Sequence, residues 1–365
     1  MYPALTIADA LERLVVGEPV GILFIGARRG MERRVFPAEG RDACFVSACP
    51  LPSRRGPAMA WAYAKLAVAC VEALWVLRGF RPDVVIGTGG YAAASVIRAA
   101  SLLRIPTLIH DMDAMPGRAS RALARRATRV SVGYKSAIER LGRPDAVHTG
   151  NPLRPGIGVG SREEGLRAFG LDPSRRTLIV LGGSQGARSL NQVTVGALGS
   201  LVNDLGLQVL HVTGQANETE VLTAARAWPA DVRAHHHVVG YLEDTMALAL
   251  AAADVALCRA GASTVNEVAA SGVPAVYVPY PYAGGHQALN AEEAVVAGAG
   301  RLIEDADLSP ELLVGELRRI LDSEAHGRMA RAARDWAPRD ADRRIAELAL
   351  TLVGRVVSRQ TDDNR

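Results

Sequence analysis

Cysteine is scarce and unpatterned: Cys44, Cys49, Cys70 and Cys258 form no C-x-x-C pair and no metal-ligand spacing, which excludes a disulfide frame or a zinc site and points to reduced thiols. Lysine is almost absent, with only Lys65 and Lys135, so the formal charge of +4 and the pI near 9.0 come from arginine dispersed among nearly as many acids. That mild excess suits a phosphate-bearing substrate or an anionic membrane surface and is too scattered for nucleic acid. No charged n-region with a following apolar core opens the chain, so a cleavable signal is missing. The longest apolar run, AMAWAYAKLAVACVEALWVL at residues 58–77, is broken by Lys65 and Glu72.

What is present is a rhythm. VGILFI, CFVSA, DVVIG, PTLIH and RVSVG before residue 150, and TLIVLGG, QVLHVTG, HHVVG, DVALC and PAVYVP after it, alternate with helical patterns. Such alternation predicts parallel sheets with helices on both faces. Glycine and proline interrupt it in TGNPLRPGIGVGSREE, residues 149–164, which predicts a boundary between two doubly wound α/β domains, at 1–153 and 154–335. A helix over 336–357 is expected to pack back on the first domain, with a frayed polar tail at 358–365. Ligands are expected at the C-terminal ends of the strands, in a cleft that the two domains face.

Three constellations carry chemistry. In TLIVLGGSQGARSLNQ, residues 177–192, a buried strand ends in Gly182 and Gly183 and a helix is expected from about Ser184, whose unpaired N–H groups could hold a diphosphate; an ordinary glycine-tightened turn reads the same way. In DVALCRAGASTVNEVAASGVPAVYVPYP, residues 254–281, Gly261 and Ala262 open a helix expected to carry Ser263, Thr264 and Glu267 in its first turn. Glu267 is then either a ribose ligand or half of a capping box. In GGHQALN, residues 284–290, Gln287 offers a donor and an acceptor to sugar hydroxyls, although a Gln at a helix start is commonly just solvated. Asp111 and Asp113 form a D-x-D of the kind that can hold a divalent metal, but two helix N-termini already supply positive potential, and the reading takes no metal. His235, His236 and His237 alternate faces on a strand and do not make a three-ligand site.

In order and spacing, YPALTIADAL, PDVVIGTGGY, PTLIH, TGNPLR, LGGSQGARSLNQ, DVALCRAGASTVNE and HQALNA resemble the MurG-type UDP-N-acetylglucosamine transferases of peptidoglycan synthesis, from Met1 to about Arg344. The resemblance implies two Rossmann-like domains in the GT-B arrangement, peripheral on the cytoplasmic face of the cell membrane. It implies inverting transfer of N-acetylglucosamine from UDP-GlcNAc to the 4-hydroxyl of lipid I, undecaprenyl-pyrophosphoryl-MurNAc-pentapeptide, with no cofactor. Carried over by position, Arg154 and Ser184 contact the nucleotide, Leu242 marks the uracil pocket, and Ala262, Ser263, Thr264, Val265, Asn266 and Glu267 line diphosphate and ribose. Gln287 and Asp113 meet the donor sugar, and Gly89, Gly90 and Tyr91 face the acceptor.

Two departures stand out. The family's His-Glu-Gln-Asn is His110-Asp111-Met112-Asp113 here, so a carboxylate that can only accept replaces an amide. The family's opening strand and Thr-Gly-Gly-His loop, whose His is the candidate base, would precede Met1, so the catalytic residue is unassigned. The first helix signal, Pro3 followed by Leu5, Ala8, Leu11 and Leu14, lacks the strand that should feed it. One expectation is that Met1 is an internal valine codon read as a start, with a strand and glycine loop of about a dozen residues ahead of it; the other is a real deletion. The rival functions are a related UDP-sugar transferase with another lipid or small-molecule acceptor, and a non-catalytic UDP-sugar-binding scaffold.

Overall fold

The computed structural model describes residues 1–49, 57–183, 185–242, 244–281 and 285–355, with the backbone alone over 57–60. The chain forms two compact units, one of Met1–Pro152 with Asp340–Arg365 and one of Leu153–Arg339.

The first unit runs α1 (Tyr2–Leu14), β1 (Phe24–Ala27), α2 (Glu32–Ala38), β2 (Ala43–Val46), α3 (Pro57–Phe80), β3 (Val85–Gly87), α4 (Gly90–Leu102), β4 (Thr107–Asp111), α5 (Arg118–Ala124), β5 (Arg129–Val132), α6 (Ser136–Leu141) and β6 (Val147–His148). Its strands are all parallel but divide into two sheets, β1-β2 and β3-β4-β5-β6. Pro3 sits in the first turn of α1, as its missing N–H allows. Leu5 and Ala8 of that helix pack with Phe24, Val35 and Phe36, while Ile7 packs with Leu108, Ile345 and Ala349. The expected strand over residues 20–26 becomes Phe24–Ala27, because β2, its only ladder partner among the described residues, is four residues long.

The second unit contains α7 (Arg162–Ala168), β7 (Arg176–Leu181), α8 (Arg188–Gly199), β8 (Leu207–Val212), α9 (Glu218–Ala225), α10 (Ala230–Arg233), β9 (His236–Val239), α11 (Met246–Ala252), β10 (Val255–Cys258), α12 (Ala262–Ala270), β11 (Ala275–Tyr277), α13 (His286–Val296), β12 (Gly300–Leu302), α14 (Pro310–Leu321) and α15 (Ser323–Trp336). Its six strands form one parallel sheet in the order β12-β11-β10-β7-β8-β9, the doubly wound pattern with β7 at the centre. Period-2 alternation gives the sheet two apolar faces. Leu178, Val180, Val209 and Leu257 join Leu190 of α8 and Leu317 of α14 on one side, and Ile179, Leu181, Leu210 and Ala256 join Val265 of α12 and Ala291 of α13 on the other. Burying each large aliphatic chain contributes roughly 1.5–3 kcal/mol, so both faces must be covered, which is why these strands read as continuous apolar runs. The last helix, α16 (Ala341–Leu352), belongs to the first unit and packs on α1 and β4.

Candidate functional site

All six strands of the second unit run the same way, so the loops that carry the sequence's glycine motifs leave the same edge of the sheet. After β7 the chain does not enter a helix at once: α8 begins at Arg188 with Ala187 as its cap, not near Ser184. The reason is a compact glycine turn. A Cβ on Gly186, whose φ is +72°, would lie 2.0 Å from the Thr213 carbonyl oxygen, so the turn closes against the loop after β8 only with glycine there. Ser184 lies outside the described residues.

Buried amides and imidazoles hold that turn from below. Asn217 Nδ2 donates to the carbonyls of Thr213 (3.1 Å) and Gln185 (3.3 Å), and Asn191 Nδ2 donates to Thr213 (3.1 Å). His211 Nε2 meets Asn191 Oδ1 at 3.0 Å and its Nδ1 meets His236 Nε2 at 3.1 Å. Burial pushes both imidazoles down, His211 to about 3 and His236 to about 4, so both are neutral.

Helix α12 starts at Ala262 with Gly261 as its cap. Ser263 and Thr264 therefore lie in its first turn, but Glu267 lies beyond it, and Gly261 has no side chain with which to form a capping box. The first-turn placement and the capping box are corrected: the carboxylate receives Arg154, Nε to Oε1 at 2.8 Å and Nη2 to Oε2 at 2.6 Å. The fork-on-fork pair is largely removed from water, with the Glu267 side chain 6% and the Arg154 side chain 19% exposed. Two guanidinium hydrogen bonds use about half of a carboxylate's roughly four acceptor positions. Val265 and Asn266 are buried, Val265 in the core beneath the helix and Asn266 donating to the Ala262 carbonyl at 2.9 Å.

Gln287 stands in the first turn of α13 after Gly285 (Gly284 is outside the described residues), and it is not merely solvated: its Oε1 accepts from the Tyr280 amide at 3.0 Å. The Leu242 side chain is buried in the core among Leu210, Val212 and Val265, so what it can offer a ligand is backbone. Arg259 was given no role by the sequence. It is 8% exposed and donates to the Val278 and Pro279 carbonyls, to Asp305 Oδ1 at 2.6 Å and to Ser189 Oγ at 2.9 Å. It thus ties the ends of β10 and β11 to the start of α8; an arginine directly after the buried run VALC was the available signal.

In the first unit, Gly89 and Gly90 have φ of +92° and +79°, caps an L side chain rarely adopts, and they start α4 with Tyr91 exposed beside them. His110, at the end of β4, is buried between Ser131 Oγ and Asn151 Oδ1, both 3.1 Å away, and burial lowers it to about 4. Asp111 accepts from the Asp113 amide at 3.1 Å and is raised by burial, whereas Asp113 itself is exposed.

The fold and the site together define a nucleotide-sugar glycosyltransferase of the two-unit kind. Residues 1–132 match the glycosyltransferase family 28 N-terminal domain and residues 177–345 the glycosyltransferase family 28 C-terminal domain. Proteins named UDP-N-acetylglucosamine–N-acetylmuramyl-(pentapeptide) pyrophosphoryl-undecaprenol N-acetylglucosamine transferase are 41% identical in a Nocardioides species (96% of this chain, 94% of the relative) and 42% identical in Acidothermus cellulolyticus (95% and 93%). The crystal structure of Acinetobacter baumannii MurG superposes with a TM-score of 0.73 at 27% identity, covering 96% of this chain and 95% of that one. The chain belongs to glycosyltransferase family 28.

The neutral imidazoles make stability depend on pH. In the unfolded chain these histidines protonate below about pH 6.5, whereas in the fold His110, His211 and His236 stay neutral to about 4, 3 and 4. Their contribution is complete above about pH 6.5 and is lost as pH falls toward the folded values. Urea titrations between about pH 6.5 and 5.5 should show stability falling by about 1 kcal/mol per pH unit for each of the three. Stability that is flat or rises as pH drops through this window would contradict the assignment.

Proposed function

We propose that this chain transfers N-acetylglucosamine from UDP-GlcNAc to the 4-hydroxyl of lipid I, giving lipid II in peptidoglycan synthesis. The observation that carries the reading is the Arg154–Glu267 pair on the helix that the Gly261 cap opens, in a chain 41% identical to a transferase of that name. The second unit binds the donor: N–H groups at the turn and at the start of α12 hold the diphosphate, with Ala262, Ser263 and Thr264 in that helix's first turn, and Ser184 contacts the nucleotide. The acceptor positions of Glu267 that Arg154 leaves open take the ribose hydroxyls, Arg154 supports the nucleotide, and the backbone at Leu242 borders the uracil. Gln287, its oxygen held by Tyr280, presents its amide NH2 to the sugar. In the first unit, Asp113 accepts from hydroxyls but cannot donate, and the caps of Gly89 and Gly90, with Tyr91, receive the acceptor's phosphates.

The acceptor oxygen forms a bond to the anomeric carbon as the bond from that carbon to the UDP oxygen breaks, with inversion. UDP departs with the electron pair, its charge met by the helix N-termini. The hydroxyl proton passes to a base not yet assigned.

No helix among the described residues is long and apolar enough to cross a membrane. Contact with the bilayer falls to the surface of α3. Its buried side, Ala62, Ala69, Ala73 and Leu77, packs toward α4, while Trp61, Val68, Val71 and Trp75 form an exposed stripe at helical spacing. Lys65 lies over the Trp61 ring at 4.1 Å, and Arg78 and Arg81 follow the stripe. Leu66 and Leu74 are half-buried, and Glu72, seven residues from Lys65 on the same stripe, bonds to Arg28 and Ser47. Arg54, Arg55 and the Met59 side chain lie outside the described residues. The helix so placed lies on an anionic surface rather than through it.

With radiolabelled UDP-GlcNAc and a soluble lipid I analogue, label should move to the acceptor, and Glu267→Ala should raise the UDP dissociation constant of the folded protein roughly ten- to a hundredfold, from losing about 1.5–3 kcal/mol of charged hydrogen bonding. Wild-type UDP affinity in a folded Glu267→Ala protein would reduce Glu267 to a structural partner of Arg154. In co-sedimentation, the protein should bind vesicles containing phosphatidylglycerol, and a Trp61→Ser, Trp75→Ser double variant should bind at least about tenfold less. Binding indifferent to anionic lipid, or to the double substitution, would remove α3 from the membrane.

A further inference from the structure

His211 stands in the middle of β8, between Val180 and Val238 in the ladder and on the face that Leu207 and Val209 share, where an aliphatic side chain would suit the packing. Its hydrogen bonds have a direction, and the carbonyl at their far end sets it. The Thr213 carbonyl can only accept, so Asn191 turns its NH2 to Thr213, at 3.1 Å, and its Oδ1 to His211. His211 Nε2 must then carry the proton it donates at 3.0 Å. Burial keeps this ring neutral, with one N–H, so Nδ1 has no proton and accepts from His236 Nε2 at 3.1 Å. Donation thus runs one way, from His236 through His211 and Asn191 to Thr213.

The chain of bonds ends where the glycine turn is seated. Thr213 O accepts a second bond, from Asn217 Nδ2 at 3.1 Å, so both of its lone pairs are used and its place is fixed. Gly186 rests on that oxygen: a Cβ there would lie 2.0 Å from it, and a Cβ on Gly214 would lie 2.7 Å from the Gln185 carbonyl oxygen and from Gly186 Cα. With contacts this close, a shift of the Thr213 carbonyl passes directly to Gln185 and Gly186. Asn191, His211 and Thr213 are all buried, so they act on a ligand only through the turn they support.

We propose that His211 is a positioning residue of the donor site: through Asn191 and the Thr213 carbonyl it holds the glycine turn in the shape that receives a diphosphate, and His236 fixes the tautomer in which it does so. The proposal rests on the donor reading given above and adds to it a residue that touches no substrate. Supporting side chains must hold a binding constellation to within roughly 0.5 Å, and a buried imidazole that donates in one direction does this where an aliphatic chain does not. Without the Nε2 donor, Asn191 Oδ1 is left buried and unsatisfied, and the amide moves to find a partner, drawing its NH2 from Thr213. The loss falls on the diphosphate, since ribose and uracil are assigned to Glu267 and to the backbone at Leu242.

The test compares UDP with uridine, which lacks the diphosphate, by calorimetric titration of the full chain. His211→Leu should weaken UDP about tenfold or more and uridine less than about twofold, whereas His211→Gln, whose amide can donate in place of Nε2–H, should bind UDP within about threefold of wild type. Leu317→Ala, which opens a cavity on the same face of the sheet, should lower the melting temperature and leave both constants in place. Long-range 15N–1H spectra of the wild-type chain should show the His211 proton on Nε2 and none on Nδ1, with the Nε2 proton shifting on saturation by UDP and not by uridine. These spectra need no variant and decide the matter alone if His211→Leu does not fold. Wild-type UDP affinity in folded His211→Leu, equal losses for UDP and uridine, an equal UDP loss in Leu317→Ala, or a proton on His211 Nδ1 would overturn the proposal and leave the donor reading standing. A wild-type chain that binds no UDP would overturn both.

Discussion

Every strand of the second unit runs in one direction, and the rest of the site depends on that. Parallel strands must be joined by helices crossing back over the faces, so each strand's C-terminal end passes into a loop and then a helix N-terminus at one edge. The turn at 182–186, the Gly261 cap and the Gly285 cap share that edge because the chain can be wound in no other way. Close packing of both sheet faces with aliphatic side chains then fixes where those loops stand.

Such an edge is rich in polar backbone, and this chain pins it with buried polar side chains. Arg259 binds the ends of β10 and β11 to Ser189 and Asp305, and Asn191, Asn217 and His211 hold the turn after β7. Arg154 and Glu267 are held as a pair. Removing one member of such a largely buried pair leaves the other uncompensated, at a cost of about 3–5 kcal/mol.

The parallel α/β architecture was legible because strands buried on both faces read as unbroken apolar runs between glycine turns. Short strands at the sheet margins, β6 with two residues and β12 with three, left no run long enough to notice. The delayed start of α8 was not legible either, since it comes from contact between Gly186 and Thr213, 27 positions apart. The partner of Glu267 lies 113 positions away, and local spacing suggested a capping box instead. His211 and Asn191 sat inside apolar periodicity and drew no attention, although a polar residue in a buried run needs a partner.

The central claim is that the common strand-end edge of the second unit holds the UDP diphosphate. Backbone amide resonances followed during a UDP titration test it most directly. The account predicts that the amides of Gly183, Gly261 and Ala262 shift together and saturate at one dissociation constant, while those of Gly89 and Gly90 stay in place. Saturating UDP that leaves the three donor-side amides unmoved, or that shifts Gly89 and Gly90 instead, would contradict it.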